Sequence, residues 1–495
     1  MKFFAILVLV GFAQAVASLP AFDGAEGFGS STPHARGKPV CVVTKLTDLD
    51  IGQKTAALRP GQFRYCLAYA AENGGAYILF NTSGTIKLQR TAFVPSHVYI
   101  AGQTSSGGIA IEGKSLQIKD AHDVVIRHIR HREAARKGDA FTIINSRNVV
   151  LDHVSVSFFK DGAVDIVDNA ENITVQWSHM GDAMDSGSKN ERYHGQPNLL
   201  RSGVNRVSLH HNLYTHGHTR MPLVTHTVRE MSFLIEFSNN VIYNYGKYPS
   251  RFAALRGHGN VVGNIYIPGK NTHGDKTSRG DEQQKQILVT TKTSGTPPIL
   301  VENNMSLYLK DNFMIDGWGH DPSVFTDKYG KQIRTGERRK VTGVRKDDTV
   351  SETDMVASRS GKIITFPLPF EPLASRVELI PYIETQPAWT GLRHVLKKFG
   401  ALPRDNTDAR LLREVVDRDG GWKYLKPEDN NLYKHEPWSD LDEDGIPDAF
   451  ESEYGENLKP NGRDLAPDRD NIEIYLDQRA KQLAAEADAK EIELN

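Results

Sequence analysis

The chain has 495 residues, 39% of them hydrophobic and 24% charged, enough to bury a large core and to form more than one domain. Its 60 basic and 61 acidic residues leave a formal net charge of -1, so no overall field draws in nucleic acid or an anionic membrane, and neither is expected as a partner. An acidic ligand would have to be held by local charges.

Residues 1–17 read as a signal peptide: Lys2, an apolar run from Phe3 to Phe12, and Ala15-Val16-Ala17 as a small-x-small cleavage site. The run is too short for a membrane span, so a secreted, extracellular protein is expected. Cys41 and Cys66 are the only cysteines. In an oxidising compartment they can pair, or remain two buried thiols, since sequence does not fix their separation. Asn81, Asn172 and Asn304 each open an N-glycosylation sequon.

From Ala21 onward, Gly, Ser and Thr separate short β-branched runs, which is turn chemistry between short strands. A pattern of an apolar residue, two polar residues, Asn or a small residue, and another apolar residue recurs from Ile126, Leu151, Val175, Leu209, Phe237, Val261 and Val301. Steps of roughly 24 to 40 residues fit stacked repeats that cannot bury an apolar face alone. Units this short, and this rich in Val, Ile and Asn, fit coils of an all-β parallel solenoid. Asn212, Asn240 and Asn264 share one repeat position, where they are expected to stack as a hydrogen-bonded ladder. His210, His211, His216 and His218 lack the His-Glu-x-x-His spacing of a zinc helix, and polar stacking is the expected role.

The repeat loosens beyond about Lys270, and residues 311–430 are read as peripheral loops and strands flanking a solenoid of residues 18–310. In residues 431–495 the strongest local motif is DLDEDGIPDAFE. Asp440, Asp442, Asp444, the Ile446 carbonyl, Asp448 and Glu451 fall at the ligand positions of a calcium loop, with Gly445 at its sharp turn. Pro447 lacks the N–H that joins paired EF-hand loops, so a single EF-hand-like loop with a structural role is expected. Residues 471–492 should be helical, docking through Ile472, Ile474, Tyr475 and Leu476 and covering an open end of the solenoid.

AEGFG near the mature N-terminus, FNTSGTI, IAGQT, the Leu151-Asp152-His153 triplet and HHN followed by RMP together resemble a secreted pectate lyase of polysaccharide lyase family 1. The likeness resumes at LPRDNTDARLLREV and in the C-terminal acidic segment, as in the longer microbial-type members. The resemblance implies a right-handed parallel β-helix, calcium (Ca2+) as cofactor, and β-elimination of polygalacturonate, with a monomer expected. Such chemistry removes the proton beside a uronate carboxylate, so it needs acidic metal ligands, a base and cationic clamps.

Asp139, Asp161 and Asp165 match the calcium ligands of the resembled family; placed in a strand, Asp161 and Asp165 would share a face. A fourth family carboxylate is Lys137 here. Arg220 matches the catalytic base of the family's Arg-x-Pro-x-x-Arg motif. Arginine is ordinarily protonated, its pKa lying above about 12, so a base role needs neighbouring cations and a desolvated site and favours alkaline pH. The motif's second arginine is Thr225, which leaves Lys189 and Arg229, or His226, as the substrate-binding candidates. Asp152 and His153 are read as a supporting pair at the ladder position. The alternatives are a β-solenoid polygalacturonase, which would press Asp161 and Asp165 into acid and base roles, and a calcium-stabilised protein that binds polysaccharide without cleaving it.

Overall fold

The computed structural model describes residues 19–49, 58–132, 138–184, 195–225, 233–246, 249–252, 257–272, 306–314, 373–379, 381–421, 432, 437–455 and 457–488, with short strands at 288–289, 324–326, 332–334, 355–359 and 362–366. The signal-peptide residues 1–17, and Lys137, Lys189, His226, Arg229 and Asn304, lie outside them.

Three sheets of ten, eight and eleven strands run the length of a right-handed parallel β-helix. Eight successive coils, from Ala76 to Val289, each contribute one strand to each sheet. Within a coil the interior residues alternate: Val149 and Leu151 face the core, while Val150 faces outward into a second cluster. Ile126, Leu151, Val175, Leu209, Phe237 and Val261 stand in register along the ten-stranded sheet, and all are fully buried. Six of the seven repeat copies are therefore in phase as expected. Val261 is next in register with Leu309. Asn312 follows Leu309 three residues later, as Asn264 follows Val261; Val301 and the rest of the VENNM segment lie outside the described residues.

The asparagine ladder forms. Asn212 Nδ2 donates to Asn240 Oδ1 (3.1 Å), Asn240 to Asn264 (3.0 Å) and Asn264 to Asn312 (2.8 Å). One turn position earlier, His128, His153, Trp177, His211 and Asn239 all adopt positive φ near 50° to 54°. His153 and Trp177 stack at 6.2 Å, and Trp177 and His211 at 4.2 Å. This corrects the placement of Asp152 and His153: Asp152 is in register with Gln176 and His210, His153 falls in the aromatic column, and Val154 holds the ladder's place. Asp152 accepts from Arg127 Nε at 2.7 Å and from Gln176 at 2.8 Å, which makes it a buried supporting carboxylate.

Helix α1 (Phe63–Glu72) closes the N-terminal end, sending Phe63, Cys66, Leu67 and Ala70 into the main core. Cys66 is bonded to Cys41 of the first strand, Val40–Val43, with the two Cα atoms 5.5 Å apart. The outer face of the ten-stranded sheet is covered in sections. At one end Tyr77, Leu79, Tyr99, Ala101, Val125 and Val150 pack against Ile446, Phe450, Ile472, Tyr475 and Leu476. Further along, the AEGFG segment crosses it: Phe28 N donates to Ser208 Oγ (3.1 Å) and Gly29 N to Thr174 Oγ1 (2.9 Å). A β-carbon at Gly27, whose φ is +77°, would lie 2.5 Å from Ser208 Oγ, so this crossing needs glycine.

Residues expected to be peripheral loops and strands include two helices, α2 (Ala388–Lys398) and α3 (Asn406–Asp417). Leu392, Val395, Leu396, Phe399 and Val415 pack on Leu213, Val241, Tyr243, Ile265 and Ile267 of the eleven-stranded sheet. Leu392, Val395, Leu396 and Val415 recur at helical spacing, which the reading of residues 311–430 as loops and strands passed over. The last two helices are α4 (Asp448–Tyr454) and α5 (Asn471–Asp488). α5 docks through Ile472, Ile474, Tyr475 and Leu476, but on the flank of the ten-stranded sheet, not on an open end. The N-terminal end is already closed by α1, and the outward-facing apolar row from Tyr77 to Val150 is what α5 helps to bury.

Candidate active site

Among the described residues no helix packs on the eight-stranded sheet. One outward-facing row crosses it in register: Phe93, Gln117, Thr142, Asp165, Leu199, Leu223 and Arg251. Asp165 is fixed there because its strand neighbours Val164 and Ile166 point into the core and are fully buried. Its Oδ1 accepts the Leu199 N–H at 3.2 Å.

Asp139 lies just before the strand Phe141–Ile144, and its Oδ1 accepts from Gly162 N at 3.0 Å. Asp161 precedes the strand Val164–Val167 and is not part of it, so the shared-face argument for Asp161 and Asp165 does not hold; its place comes from the turn. Glycine at 162 is what leaves room between the carboxylates. A β-carbon there would stand 2.5 Å from Asp139 Oδ1 and 2.7 Å from Asp165 Oδ1.

Burial and the charge of Asp161 push the Asp139 carboxyl up to about 6. Burial and then Asp139 hold the Asp165 carboxyl well above the usual range. In both cases the charge of Arg220 pulls the other way. The three aspartates and Arg220 thus form one electrostatic unit. Hard oxygen donors, short of positive charge and closing over a side-chain-free gap, are a donor set that suits calcium.

Arg220 is carried at the end of the turn that follows the strand Leu213–Thr215. Its carbonyl accepts from Asn198 N at 2.9 Å, and Met221 N donates to Pro249 O at 2.7 Å, so the coils before and after it both hold its backbone. With φ of +64° it occupies a left-handed position, turned against the local chain direction. Among the described residues the neighbouring histidines go elsewhere. His211 stacks on Trp177, and His216 Nε2 lies 2.9 Å from Glu414 Oε2.

Sequence reading missed two residues here. Gly162 is found only once the two carboxylates are seen closing over it. Arg251, at the far end of the outward row, is half-buried, and among the described residues its Nε has no hydrogen-bond partner. Nothing local to KYPSRF marks it; only the strand register places it on this face.

The C-terminal loop forms a second acidic cluster. Ligand oxygens of Asp440, Asp442 and Asp444 lie within 4.8 Å of one another. Asp440 accepts from Asp444 N (3.2 Å) and Gly445 N (3.0 Å), and Gly445 has the positive φ of +98° that the turn requires. Burial pushes both Asp440 and Asp444 up to about 6. Asp448 and Glu451 are engaged differently. Asp448 accepts from Leu441 N at 2.9 Å and from Ser439 Oγ, and Glu451 from Leu458 N at 3.0 Å. The loop is seated by Ile446, fully buried against the ten-stranded sheet.

Two of the sequons are occupied by hydrogen bonds. Asn81 Nδ2 donates to Trp438 O at 3.0 Å, and Asn172 Nδ2 to Asn148 Oδ1 at 3.1 Å.

No family model matches the chain. A protein of Aspergillus fumigatus named probable pectate lyase C is 33% identical over 283 residues, covering 56% of this chain and 61% of that relative's length. One of Emericella nidulans with the same name is 28% identical over 463 residues, covering 91% of this chain and 90% of the relative. Among solved structures, a pectate lyase of Bacillus sp. N165 in complex with trigalacturonate is 15% identical, covers 76% of this chain and 99% of its own, and gives a TM-score of 0.46. The chain is thus similar to proteins named probable pectate lyase C, over nearly its whole length to one of them and over about three fifths of the length of the other.

Proposed function

We propose that the protein is a secreted, calcium-dependent pectate lyase that cleaves polygalacturonate by β-elimination. The observation that carries this reading is the convergence of the Asp139 and Asp165 carboxylates on the gap left by Gly162, with Arg220 close enough to act on both electrostatically. The likeness to proteins named probable pectate lyase C supports it, as does the Cys41–Cys66 disulfide for an extracellular setting.

Asp139, Asp161 and Asp165 would hold the calcium. When bound, it supplies positive charge that neutralises a uronate carboxylate and stabilises the enolate-like charge next to it. Arg220 takes the proton from the carbon beside that carboxylate. The electron pair left behind forms the new carbon–carbon double bond, the glycosidic carbon–oxygen bond breaks, and the departing sugar oxygen takes a proton from water. Arginine is ordinarily a fixed cation, so turnover should climb toward alkaline pH. With Thr225 in place of the second motif arginine, Arg251 supplies the cationic clamp from the described face. Its guanidinium stands on the same outward row as Asp165 and, among the described residues, has no ion-pair partner. Exposed Phe93, at the other end of the row, offers an apolar face to a sugar ring. Lys189 and Arg229 remain substrate-binding proposals. In the C-terminal loop, calcium held by Asp440, Asp442 and Asp444, with the Ile446 carbonyl, Asp448 and Glu451 joining, would clamp α4 and α5 onto the sheet.

The test is ultraviolet absorbance of polygalacturonate incubated at alkaline pH with the protein, in calcium or in chelator, beside Arg220→Ala. A calcium-dependent rise that Arg220→Ala abolishes establishes the reading. Bound substrate without any rise would leave a polysaccharide-binding protein.

A further inference from the structure

Away from this site, on the ridge where the chain enters the ten-stranded sheet, two consecutive coils bring His97, His122 and Asp123 together. His97 immediately precedes the strand Val98–Ala101, and His122 opens the strand His122–Arg127. Both rings turn the same nitrogen to the same oxygen: His97 Nδ1 is 3.4 Å and His122 Nδ1 2.7 Å from Asp123 Oδ2. The three donor atoms lie within 4.8 Å of one another. The rings meet edge to face with centroids 4.7 Å apart, which aims their nitrogens inward instead of stacking them.

We infer that His97, His122 and Asp123 form a surface site for a divalent transition metal ion such as zinc, separate from the calcium sites. Two imidazoles and one carboxylate suit a borderline-soft ion and not calcium, which prefers oxygen alone. In a tetrahedral site with bonds of about 2.0 to 2.2 Å, neighbouring ligand atoms stand roughly 3.4 Å apart. The His97 edge already has that length, and the His122 edge needs to open by only a fraction of an ångström. The side chains of His97 and His122 are 37% and 30% exposed, so solvent can supply the fourth ligand.

The carboxylate is held from behind. Asn148 of the following coil donates from Nδ2 to Asp123 Oδ1 at 2.8 Å, leaving Oδ2 to the metal, as an outer partner of a ligating carboxylate does. Asp123 takes a positive φ of 61° to reach this position. The group working against a cation is Lys38, close enough to His97 to act on it electrostatically. Bound metal would tie two successive coils together at their outer corner.

The experiment is zinc titration of the full chain by calorimetry in excess calcium, with cobalt absorption as a report on ligand geometry. The expected result is one zinc equivalent and a tetrahedral cobalt spectrum, both lost in His97→Ala and His122→Ala. Asp123→Asn, which keeps the positive φ and the bond to Asn148, should lose at least tenfold in affinity, Asn148→Ala about tenfold, and Lys38→Ala should gain. Zinc binding that is unchanged in the histidine variants, or no zinc binding by the parent, would overturn the assignment.

Discussion

On the outer face of the eleven-stranded sheet, Arg130 and Arg132 are fully covered, and a segment more than two hundred residues away brings carboxylates to meet them. Arg132 Nη2 lies 2.9 Å from Asp405 and 2.8 Å from Asp408, and Asp405 also caps α3 by accepting from Asp408 N at 2.9 Å. On the outer face of the eight-stranded sheet, Asp139 and Asp165 sit close together with their protonation pushed upward, Arg220 offsetting only part of it. The contrast separates two uses of buried charge. Where the chain supplies the counter-charges itself, the result is a covered face and a fixed helix. Where it leaves acid groups short of positive charge on a face no described helix covers, the balance is left for an ion and a ligand to complete.

The largest effect that would break this comparison is on turnover. Arg220→Ala and Asp165→Asn should each lower polygalacturonate cleavage by about a thousandfold or more while the folded structure stays intact by circular dichroism. If Asp165→Asn unfolds the protein instead, Asp165 belongs with Asp405. On the other face, Asp405→Ala leaves Arg132 buried with a partner missing and removes a helix cap. Denaturant unfolding should show a loss of about 3 to 5 kcal/mol.

A smaller effect tests the gap itself. Gly162→Ala places a methyl group between the two carboxylates and should raise the calcium needed for half-maximal activity by roughly tenfold, a ligand-geometry change of the size seen when metal ligands lose their support. An unchanged calcium requirement would remove Gly162 from the site.

pH separates the acidic groups further. Asp139, Asp440 and Asp444 rise from an ordinary 3.8 to about 6, so between those values the folded state binds more protons than the unfolded one. In chelator, their contribution to stability is therefore full below pH 4 and is lost as pH rises through 6. Calcium should reverse that slope, because it competes with the same protons. The smallest effect is expected in the C-terminal loop: Asp444→Ala should remove a few degrees of calcium-linked thermal stabilisation and leave turnover at saturating calcium unchanged.

Much of this was legible in the sequence where the signal was local and repeated. The coil period, the ladder of Asn212, Asn240 and Asn264, and the spacing of the acidic loop all lie within windows a reader can scan. What escaped was set by register or by distant partners. A shift of one residue hid the true column of His153, because polar turn residues at neighbouring positions look alike until strands pair. The pairing of Arg132 with Asp405 spans most of the solenoid and leaves no mark near either residue. α2 and α3 were passed over in a span read as loops and strands, although Leu392, Val395 and Leu396 in one and Leu411 and Val415 in the other follow helical spacing.

The asparagine ladder has a head and a tail. Each amide sends one proton back to a carbonyl of the preceding coil, as Asn240 does to Leu209 O (2.9 Å) and Asn264 to Phe237 O (2.9 Å), and the other forward to the next amide. At Asn312 the backward bond to Val261 O remains (2.7 Å), but the second proton turns onto its own strand at Lys310 O (3.1 Å). Among the described residues the column is thus a short polymer with a capped end group: both side-chain amide protons of Asn312 are committed to its own coil and the preceding one, and neither points onward.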